Sequence, residues 1–564
     1  MQSLILKHAL KNALDFGGSV NINVVLGAVL KEDPSLKKDV NGLRTEISKV
    51  VSSIQKLSSE QIEKKLKELA PNLLKKEVVE ETPLKPLPEA VVGRVVLRLA
   101  PSPSGPLHIG HVYGFSLNYE YAKMYKGKLL LRLEDTNAEN IYPPAYKMIE
   151  DDVQWMTENS LSNVVVQSSR LPLYHKSVHT LIEKGKAYVC TCDADSFREL
   201  KNKGIACPCR DLLLKEHLLR YEKMFDGYKE GEVVVRLKTD IKDKNPAMRD
   251  FGIMRIVEHA HPKTGTTQKV WPLMVLSVAI DDHELGITHV LNGKDQADNA
   301  VKEKLIMSYL GWQPPQYKHW GFINFEGFEI SKTTTKLAIE QGKYHGWDDI
   351  RLPFLPALRR RGYQAGAFRR FACEIGLSLN DKTVKIEEFW KNINAFNREI
   401  IEPIANRYFF VEEPISVVIQ DAPTKDVELD LHPSFPARGK RKLKASGKVY
   451  ITSSDQKNLE EGKIHRLMDY CNFVRKKDKY IFHSLAYEEY KNSPKKGLII
   501  HWLPQEKNLV NVHVLLADGK VVIGYGEELL KDVAEGAIIQ LERCYFARID
   551  KKEKNNVYVW YTHT

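Results

Sequence analysis

The chain has 564 residues, more than one hydrophobic core supports, and about 150 residues per domain predicts roughly four domains. Apolar residues make up 43% and charged residues 28%, which excludes disordered, collagen-like and cysteine-rich secreted proteins. A net charge of +11 indicates a polyanionic partner if the excess lies on one face. No apolar run reaches the ~18 residues of a membrane span, and lysines interrupt the amino end where a signal peptide needs an apolar core. We therefore expect a cytoplasmic protein without membrane contact.

The first 77 residues have the apolar spacing of helices, as in Leu43, Ile47, Val50, Ile54 and Leu57. Ser58 and Gln61 predict a capping box at the start of a further helix. Three prolines between residues 78 and 90 remove amide donors and favour an extended linker. We expect a helical extension and linker over residues 1–85.

A strand–loop–helix–strand pattern follows the linker. The β-rich run 94–99 leads through a loop of proline, serine and glycine into a helical pattern over 108–125, and 128–133 reads as the next strand. This order is typical of a βαβ unit, so residues 86–185 should form the first half of a Rossmann-like domain.

The apolar run 287–291 precedes another helical pattern, which indicates that the sheet resumes over residues 276–342. The intervening residues 186–275 are predicted to be an inserted domain. From 343 to 410 the pattern is helical and basic. Residues 411–564 alternate apolar and polar positions in short runs with hairpin signals such as Asp518-Gly519, which predicts β-barrel domains.

Four of the seven cysteines lie in two C-x-C pairs within the predicted insertion. Cys190 and Cys192 are separated by fourteen residues from Cys207 and Cys209. Four thiolates suit a tetrahedral zinc ion with a structural role, and a reduced cluster without metal is the alternative.

The segment R-L-A-P-S-P-S-G-P-L-H-I-G-H, residues 98–111, carries the strongest chemical signal. His108 and His111 flank Gly110 where the helical pattern begins after the first strand. Imidazoles and the free amides of a helix start would converge there on an anion.

This segment resembles the H-I-G-H signature of class I aminoacyl-tRNA synthetases, and P-S-P-S-G-P-L is similar to glutamyl-tRNA synthetases of archaeal type. The resemblance extends over 131–137, 278–295, 342–362 and 540–550. It implies an α/β fold class: a Rossmann-like catalytic domain with an inserted acceptor-stem-binding domain, an N-terminal helical extension, a helical stem-contact region and C-terminal β-barrel anticodon-binding domains.

The resemblance also implies roles for individual residues. Those at the catalytic centre are His108, Ile109, Gly110, His111, Lys332 and Lys336. Those near ATP are Pro101, Pro103, Gly105, Gly293, Asp295, Ile330 and Ser331. Those near the amino acid are Arg98, Ala100, Ser102, Glu134, Met274 and Asn292, with tyrosine and arginine at the last two positions in the archaeal-type pattern.

A mobile lysine loop is expected at E-I-S-K-T-T-T-K, residues 329–336. An ungapped match places the family's second lysine on Thr334. Either Lys332 or Lys336 supplies that charge, or the charge is missing. The match at Ile330 and Ser331 favours Lys332.

The predicted function is ligation of glutamate to tRNA(Glu) with ATP and Mg2+, and tRNA(Gln) is a further candidate substrate. Glutaminyl-tRNA synthetase is one alternative, and a tRNA-binding paralogue impaired in charging is another. We expect a monomer. Basic runs are often merely solvated, yet their position after the catalytic domain indicates tRNA contact by Arg359, Arg360, Arg361, Arg438, Lys440 and Arg441.

Overall fold

The computed structural model describes residues 2–15, 20, 22–54, 57–70, 84–327 and 330–564. Most of the predicted linker, through residue 83, and Glu329 of the lysine loop therefore lie outside the described residues. The chain divides into two units, residues 1–82 and 83–564. Across the described ranges, no helix is long and apolar enough to cross a membrane.

The first unit contains four α-helices in its described residues: α1 (Gln2–Asp15), α2 (Ile22–Glu32), α3 (Val40–Ile54) and α4 (Ser59–Leu69). Apolar side chains from all four share one core. The predicted capping box is present at the start of α4. The Ser58 hydroxyl accepts from the Gln61 amide at 3.3 Å, and the Gln61 side chain accepts from the Ser58 amide at 3.0 Å.

The second unit opens with a parallel sheet and its crossover helices: β1 (Val96–Leu99), α5 (Ile109–Met124), β2 (Lys128–Leu133), α6 (Ala145–Met156), β3 (Asn163–Val166) and α7 (Leu171–Glu183). The strand order is β1-β2-β3 and both pairings are parallel. Parallel strands require crossover connections, which α5 and α6 supply. Leu97, Leu99, Leu131 and Leu133 are buried, as expected for strands covered on both faces.

An antiparallel sheet with two helices follows: β4 (Ala187–Cys190), α8 (Ala194–Lys203), α9 (Leu214–Lys223), β5 (Val234–Leu237), β6 (Gly252–Ile256) and β7 (Val270–Pro272). Its order is β4-β5-β6-β7, so β4 is an edge strand. The four clustered cysteines belong to the end of β4 and to the loops that follow β4 and α8.

The parallel strands then resume with α10 (Met274–Glu284), β8 (His289–Gly293), α11 (Ala297–Leu310), β9 (Gln316–Trp320), β10 (Ile323–Glu326) and α12 (Lys332–Glu340). Strand β8 pairs in parallel with β9. The Thr288 amide donates to the Val96 carbonyl at 3.0 Å, which brings β8 beside β1. The predicted Rossmann-like arrangement is confirmed, and the ends of its strands define the site described below.

Helices dominate the next region: α13 (Leu355–Arg361), α14 (Ala365–Ile375), β11 (Lys382–Lys385) and α15 (Ile386–Ile401). Strand β11 pairs in parallel with β10, which joins this region to the preceding one.

The carboxyl third is β-rich, as predicted. Its elements are β12 (Asn406–Tyr408), β13 (Phe410–Glu412), β14 (Pro414–Gln420), β15 (Lys425–Asp430), β16 (Lys440–Ala445), β17 (Lys448–Thr452), α16 (Ser453–Lys457), β18 (Ile464–Leu467), β19 (Asn472–Lys476), β20 (Lys479–Ser484), α17 (Tyr487–Asn492), β21 (Lys496–Ile500), β22 (Leu503–Pro504), β23 (Val510–Leu515), β24 (Val521–Gly526), β25 (Ile538–Leu541), β26 (Tyr545–Glu553) and β27 (Asn556–His563). Two sheets of seven strands result, ordered β12-β25-β26-β27-β23-β24-β13 and β21-β18-β19-β20-β14-β17-β22. The hairpin signal Asp518-Gly519 does connect β23 to β24, and Gly519 supplies the required positive φ of 88°.

Two arginines of the basic run in α13 hold this helix against the last strands. Arg360 donates to the Asp550 carboxylate through Nε and Nη2 at 2.9 and 2.8 Å. Arg361 is buried and donates to the Thr562 carbonyl at 2.9 Å. The predicted RNA contact is therefore corrected for Arg361, because its guanidinium is enclosed by protein, whereas Arg359 is exposed.

Arg441 requires a second correction. It lies on β16 and is 2% exposed. Its guanidinium donates to Glu527 and, at 2.7 Å, to Glu542. A buried arginine between two carboxylates cannot reach RNA. Arg441 instead joins the separate β15-β16 pair to residues that follow β24 and β25.

Replacing Arg441 with alanine should lower the free energy of unfolding by about 3–5 kcal/mol, because the buried Glu527 carboxylate would lose its cation and the half-buried Glu542 would keep only Arg407 at 3.9 Å. Urea denaturation measures this change. Lys442→Ala is the matched control, since its exposed neighbouring side chain pairs only at the surface with Glu428. Equal denaturation midpoints for the two variants would contradict the role given to Arg441.

Candidate active site

The loop that follows β1 lies across the exit of β2. The Pro101 carbonyl accepts from the Glu134 amide at 3.1 Å, and the Pro103 carbonyl accepts from the Tyr142 amide at 2.9 Å. Ser102 is exposed between them and Glu134 is half-buried. Residues from the carboxyl ends of two parallel strands therefore meet at one edge, where α/β sheets bind their ligands.

His108 and His111 cap the first turn of α5. The Gly110 amide donates to His108 Nδ1 at 3.1 Å, and the His108 amide donates to His111 Nδ1 at 3.3 Å. A Cβ atom at Gly110 would lie 2.9 Å from His108 Cε1, so this cap needs glycine. Ile109 is buried beneath the cap. The free amides and positive end of α5 face the ligand edge of the sheet.

The segment that enters this helix is held from two sides. The Leu107 carbonyl accepts from the Leu355 amide at 2.9 Å, and the Ile109 amide donates to the Pro353 carbonyl at 3.2 Å. On the other side the Leu107 amide donates to an Asp152 carboxylate oxygen at 2.9 Å. The backbone on both sides of His108, at Leu107 and Ile109, is thus held by hydrogen bonds to residues 353, 355 and 152.

Lys332 is the lysine that the structure brings to the histidines. Ser331 is the N-cap of α12, accepting from the Thr334 amide at 3.2 Å, and Lys332 lies in the first turn. Its ammonium donates to the Gly105 carbonyl at 3.2 Å. Lys336, one turn later, is exposed, and its ammonium lies 3.9 Å from Glu340. Ile330, just before the cap, is half-buried.

Burial controls protonation at this edge. Burial, together with the nearby Lys332 ammonium, lowers the pKa of His108 to about 3 and that of His111 well below its ordinary value. Burial also lowers the pKa of Lys332 to about 8, against the attraction of Asp152. At neutral pH the site thus combines two neutral imidazoles, one ammonium and a helix start, a set of groups that suits a polyphosphate.

Arg98 lies at the end of β1 in a buried ion-pair network. Its Nε and Nη2 donate to the two Asp282 oxygens at 2.9 and 3.2 Å. Arg132 donates to the same carboxylate and, at 2.9 Å, to Glu134. The two arginines hold the pKa of Asp282 below its ordinary value despite burial, so this carboxylate stays charged.

A second carboxylate, Asp281, extends the network towards α7. It accepts from Arg170 Nε at 2.7 Å and from the Tyr174 hydroxyl at 2.8 Å. Asp281 and Asp282 lie within residues 278–295, on which the family resemblance rests in part, yet no role was predicted for either. Two adjacent acidic residues inside the apolar run of α10 were the available signal, because buried charges require partners.

The other predicted contact residues lie around the end of β8. Asn292 Oδ1 accepts a hydrogen bond from His319 Nδ1 at 2.6 Å. A Cβ atom at Gly293 would lie 2.3 Å from Asp295 Oδ1, so a side chain at this position would force the Asp295 carboxylate to move. Met274 begins α10 with its side chain 38% exposed.

The four clustered cysteines converge in the inserted region. Cys190 and Cys207 have their sulfurs 3.9 Å apart, and Cys192 and Cys209 have theirs 3.8 Å apart. The sulfurs of Cys190, Cys192 and Cys207 all lie within 4.8 Å of one another. Tetrahedral zinc with ~2.3 Å bonds to sulfur spaces its ligands about 3.8 Å apart. Cys190, Cys192 and Cys207 come close to this spacing, and Cys209 reaches it with Cys192.

Among the predicted RNA contacts, Arg359, Arg438 and Lys440 are exposed. Lys440 lies 3.2 Å from Glu428, and the Arg438 guanidinium lies 4.6 Å from the centre of the exposed Phe435 ring. A cation beside an exposed aromatic ring is a typical surface for unstacked bases.

Two family models match this chain. The model "tRNA synthetases class I (E and Q), catalytic domain" matches residues 94–403, and the corresponding anti-codon binding domain matches residues 405–487. The chain belongs to this family. The matched residues contain the capped histidines, the buried arginine network and Lys332 of this class I synthetase.

Relatives match over the whole length of the synthetase. Glutamate-tRNA ligase from Pyrococcus furiosus is 42% identical over 586 residues, covering 100% of both chains. The ligase of the same name from Methanocaldococcus jannaschii is 42% identical over 565 residues, again covering 100% of both chains. A crystal structure of a glutamate tRNA ligase from Elizabethkingia meningosepticum gives a TM-score of 0.40 at 18% identity, covering 56% of this chain and 70% of that chain.

The His108 imidazole should stay neutral between about pH 8 and pH 5, because burial disfavours its charged form. Selective 13C labelling of histidine and NMR titration would measure this. Lys332→Ala should raise the pKa of His108, since it removes a facing ammonium, whereas Lys336→Ala should leave it unchanged. A larger effect of Lys336→Ala would overturn the assignment of Lys332 to this site.

Proposed function

We propose that this protein is a glutamate-tRNA ligase. A carboxylate oxygen of glutamate attacks the α-phosphorus of ATP and pyrophosphate leaves. A hydroxyl of the 3′-terminal adenosine of tRNA(Glu) then attacks the glutamyl carbonyl and AMP leaves. The observation that carries the proposal is the full-length match to archaeal glutamate-tRNA ligases, at 42% identity over 100% of each chain.

The phosphates of ATP, which enters with Mg2+, would lie at the start of α5. His108, His111 and the free amides would donate hydrogen bonds to phosphate oxygens, and Lys332 would supply the positive charge. These groups are held by the fold before ATP binds, so they stabilise the transition state without reorganisation. Gly293 and Asp295 would face the nucleoside, together with residues 101–105 and 330–331.

Glutamate would bind beside the arginine network, near residues 100–102, Met274 and Asn292. Among Arg98, Arg132, Glu134 and Asp282, the side chain of Glu134 is the most exposed, at 15%, and it would receive the α-ammonium group. If Glu134 turns to this ammonium, Arg132 and Arg98 gain a surplus of positive charge over Asp282. That surplus favours a substrate with a side-chain carboxylate over glutamine.

For tRNA we propose the inserted region 186–275 as the acceptor-stem domain, 343–410 as the stem-contact region and 411–564 as the anticodon-binding domains. Of the predicted contact residues in the latter two regions, Arg359, Arg438 and Lys440 are the exposed ones. Arg360 is half-buried and paired with Asp550, so it would act on RNA only secondarily. A monomer suffices, because one chain supplies every proposed contact.

The deciding experiment measures charging of tRNA(Glu) and tRNA(Gln) with radiolabelled glutamate and glutamine. We expect glutamate on tRNA(Glu), and glutamate on tRNA(Gln) as well would define a broader tRNA specificity. Glutamine on tRNA(Gln) would establish the glutaminyl alternative. Binding of tRNA without charging by either amino acid would establish the impaired paralogue.

We also propose a structural zinc ion held by Cys190, Cys192, Cys207 and Cys209. Purified protein should contain about one zinc per chain, because four convergent thiolates bind it far more tightly than scattered ones. Cys207→Ser should release the metal and lower the unfolding temperature. Cys544→Ser is the control outside the cluster. Protein that purifies gently without zinc, at unchanged stability, would exclude the site.

A further inference from the structure

Asp135 is a buried carboxylate that the reaction scheme above does not use. It follows Glu134 directly at the exit of β2 and is fully enclosed by protein. One of its oxygens accepts from the hydroxyls of Tyr146 and Ser168, both at 2.7 Å, and the other accepts from the Ser168 amide at 2.8 Å. Burial raises the pKa of Asp135, but the hydrogen bonds more than offset this and hold it below its ordinary value. The carboxylate therefore stays charged and anchored.

A histidine from the region between β4 and β7 closes another side of Asp135. His261 lies in the loop between β6 and β7 and is 2% exposed. Its Nε2 donates to the Asp135 carbonyl at 2.9 Å and lies 3.5 Å from the carboxylate oxygen that Tyr146 binds. The Lys263 amide donates to Nδ1 of the same ring at 3.1 Å, so the neutral imidazole carries its proton on Nε2. Both ring nitrogens thus have a partner that fixes the orientation of the ring.

The turn that carries His261 is itself held in place. His261 and Gly265 exchange backbone hydrogen bonds at 2.9 and 2.7 Å, and Gly265 supplies the positive φ of 60° that this turn requires. The Trp271 ring of β7 stacks on the imidazole, with the ring centres 4.8 Å apart and 29° between the planes. The imidazole therefore has little freedom to turn away from Asp135.

Two further contacts join the same two segments of the chain. Arg255 of β6 donates to Asn137 Oδ1 at 3.2 Å. The Lys263 ammonium lies 4.6 Å from the centre of the Tyr146 ring, within the range of a cation–π contact. The strand β6 and the loop after it thus contact the chain that leaves β2 at residues 135, 137 and 146.

We propose that His261 is a positioning residue for glutamate binding: by holding Asp135, it fixes the direction in which Glu134 meets the α-ammonium group of the substrate. The proposal rests on the proposed function. The Glu134 amide donates to the Pro101 carbonyl, and the residue after Glu134 is held by His261. Because the backbone is held on both sides of Glu134, its carboxylate turns only about its own side-chain bonds. The fold therefore orders this carboxylate before glutamate arrives.

The test compares His261→Ala with His259→Ala in ATP–pyrophosphate exchange, measured with saturating tRNA(Glu). His261→Ala should raise KM for glutamate about tenfold, because a displaced Glu134 binds the amino acid less well, and should leave KM for ATP unchanged. His259 lies two residues earlier in the same loop and is exposed, so His259→Ala should match the wild type. An equal rise in both KM values, or no rise in either, would overturn the proposal.

A conservative variant and a double-mutant cycle exclude a merely structural effect. The amide of glutamine in His261→Gln can donate to the Asp135 carbonyl as Nε2 does, so this variant should recover part of the affinity for glutamate. In a Glu134→Gln background, His261→Ala should raise KM for glutamate no further, because it acts through the Glu134 carboxylate. A KM for His261→Gln no better than that of His261→Ala, or the same rise in both backgrounds, would count against the proposed role.

A measurement without catalysis separates this proposal from the proposed function. Hydrogen–deuterium exchange with mass spectrometry reports how firmly the amides of residues 134–140 are held. His261→Ala should make this segment exchange about tenfold faster, whereas His259→Ala should leave it unchanged. Unchanged exchange in His261→Ala would refute the proposal even in an active enzyme. Faster exchange in a protein that attaches no glutamate to tRNA would support the contact of His261 with this segment and refute the proposed function.

Discussion

Asp282 is the carboxylate on which the amino-acid side of the site depends. It holds Arg98 through two hydrogen bonds and also accepts from Arg132, all of them with almost no access to solvent. Removing any one of these charges would leave another uncompensated in the interior. The network therefore behaves as a unit, and it sets the direction in which Arg98 and Glu134 can meet a substrate.

Much of the site could be predicted from sequence because its residues are local. The capped start of α5, the four cysteines and the exits of β1 and β2 each lie within a short stretch, where spacing determines geometry. The choice between Lys332 and Lys336 could not be made from spacing, since it depends on where α12 begins. In the structure Ser331 is the N-cap of α12, and this start places Lys332 beside Gly105.

The run of three arginines in α13 is a feature whose role could not be predicted from its spacing in the sequence. Three consecutive arginines have three different surroundings. Arg359 is exposed, Arg360 is half-buried and pairs with Asp550, and Arg361 is buried. Neighbours on a helix point 100° apart, so a run of three covers most of its circumference. The sequence shows the total charge of the run. The packing of α13 against β26 and β27 determines which of the three side chains is exposed and can contact RNA.

The cap at the start of α5 also fixes the tautomers of its two imidazoles. Each Nδ1 receives a backbone N–H, so in the neutral ring the proton must reside on Nε2. His108 and His111 therefore present N–H groups as permanent donors, and a change of pH near neutrality does not exchange donor for acceptor. The backbone amides thereby determine that both rings offer hydrogen-bond donors to a ligand. Without these amides, each neutral ring could also offer an acceptor.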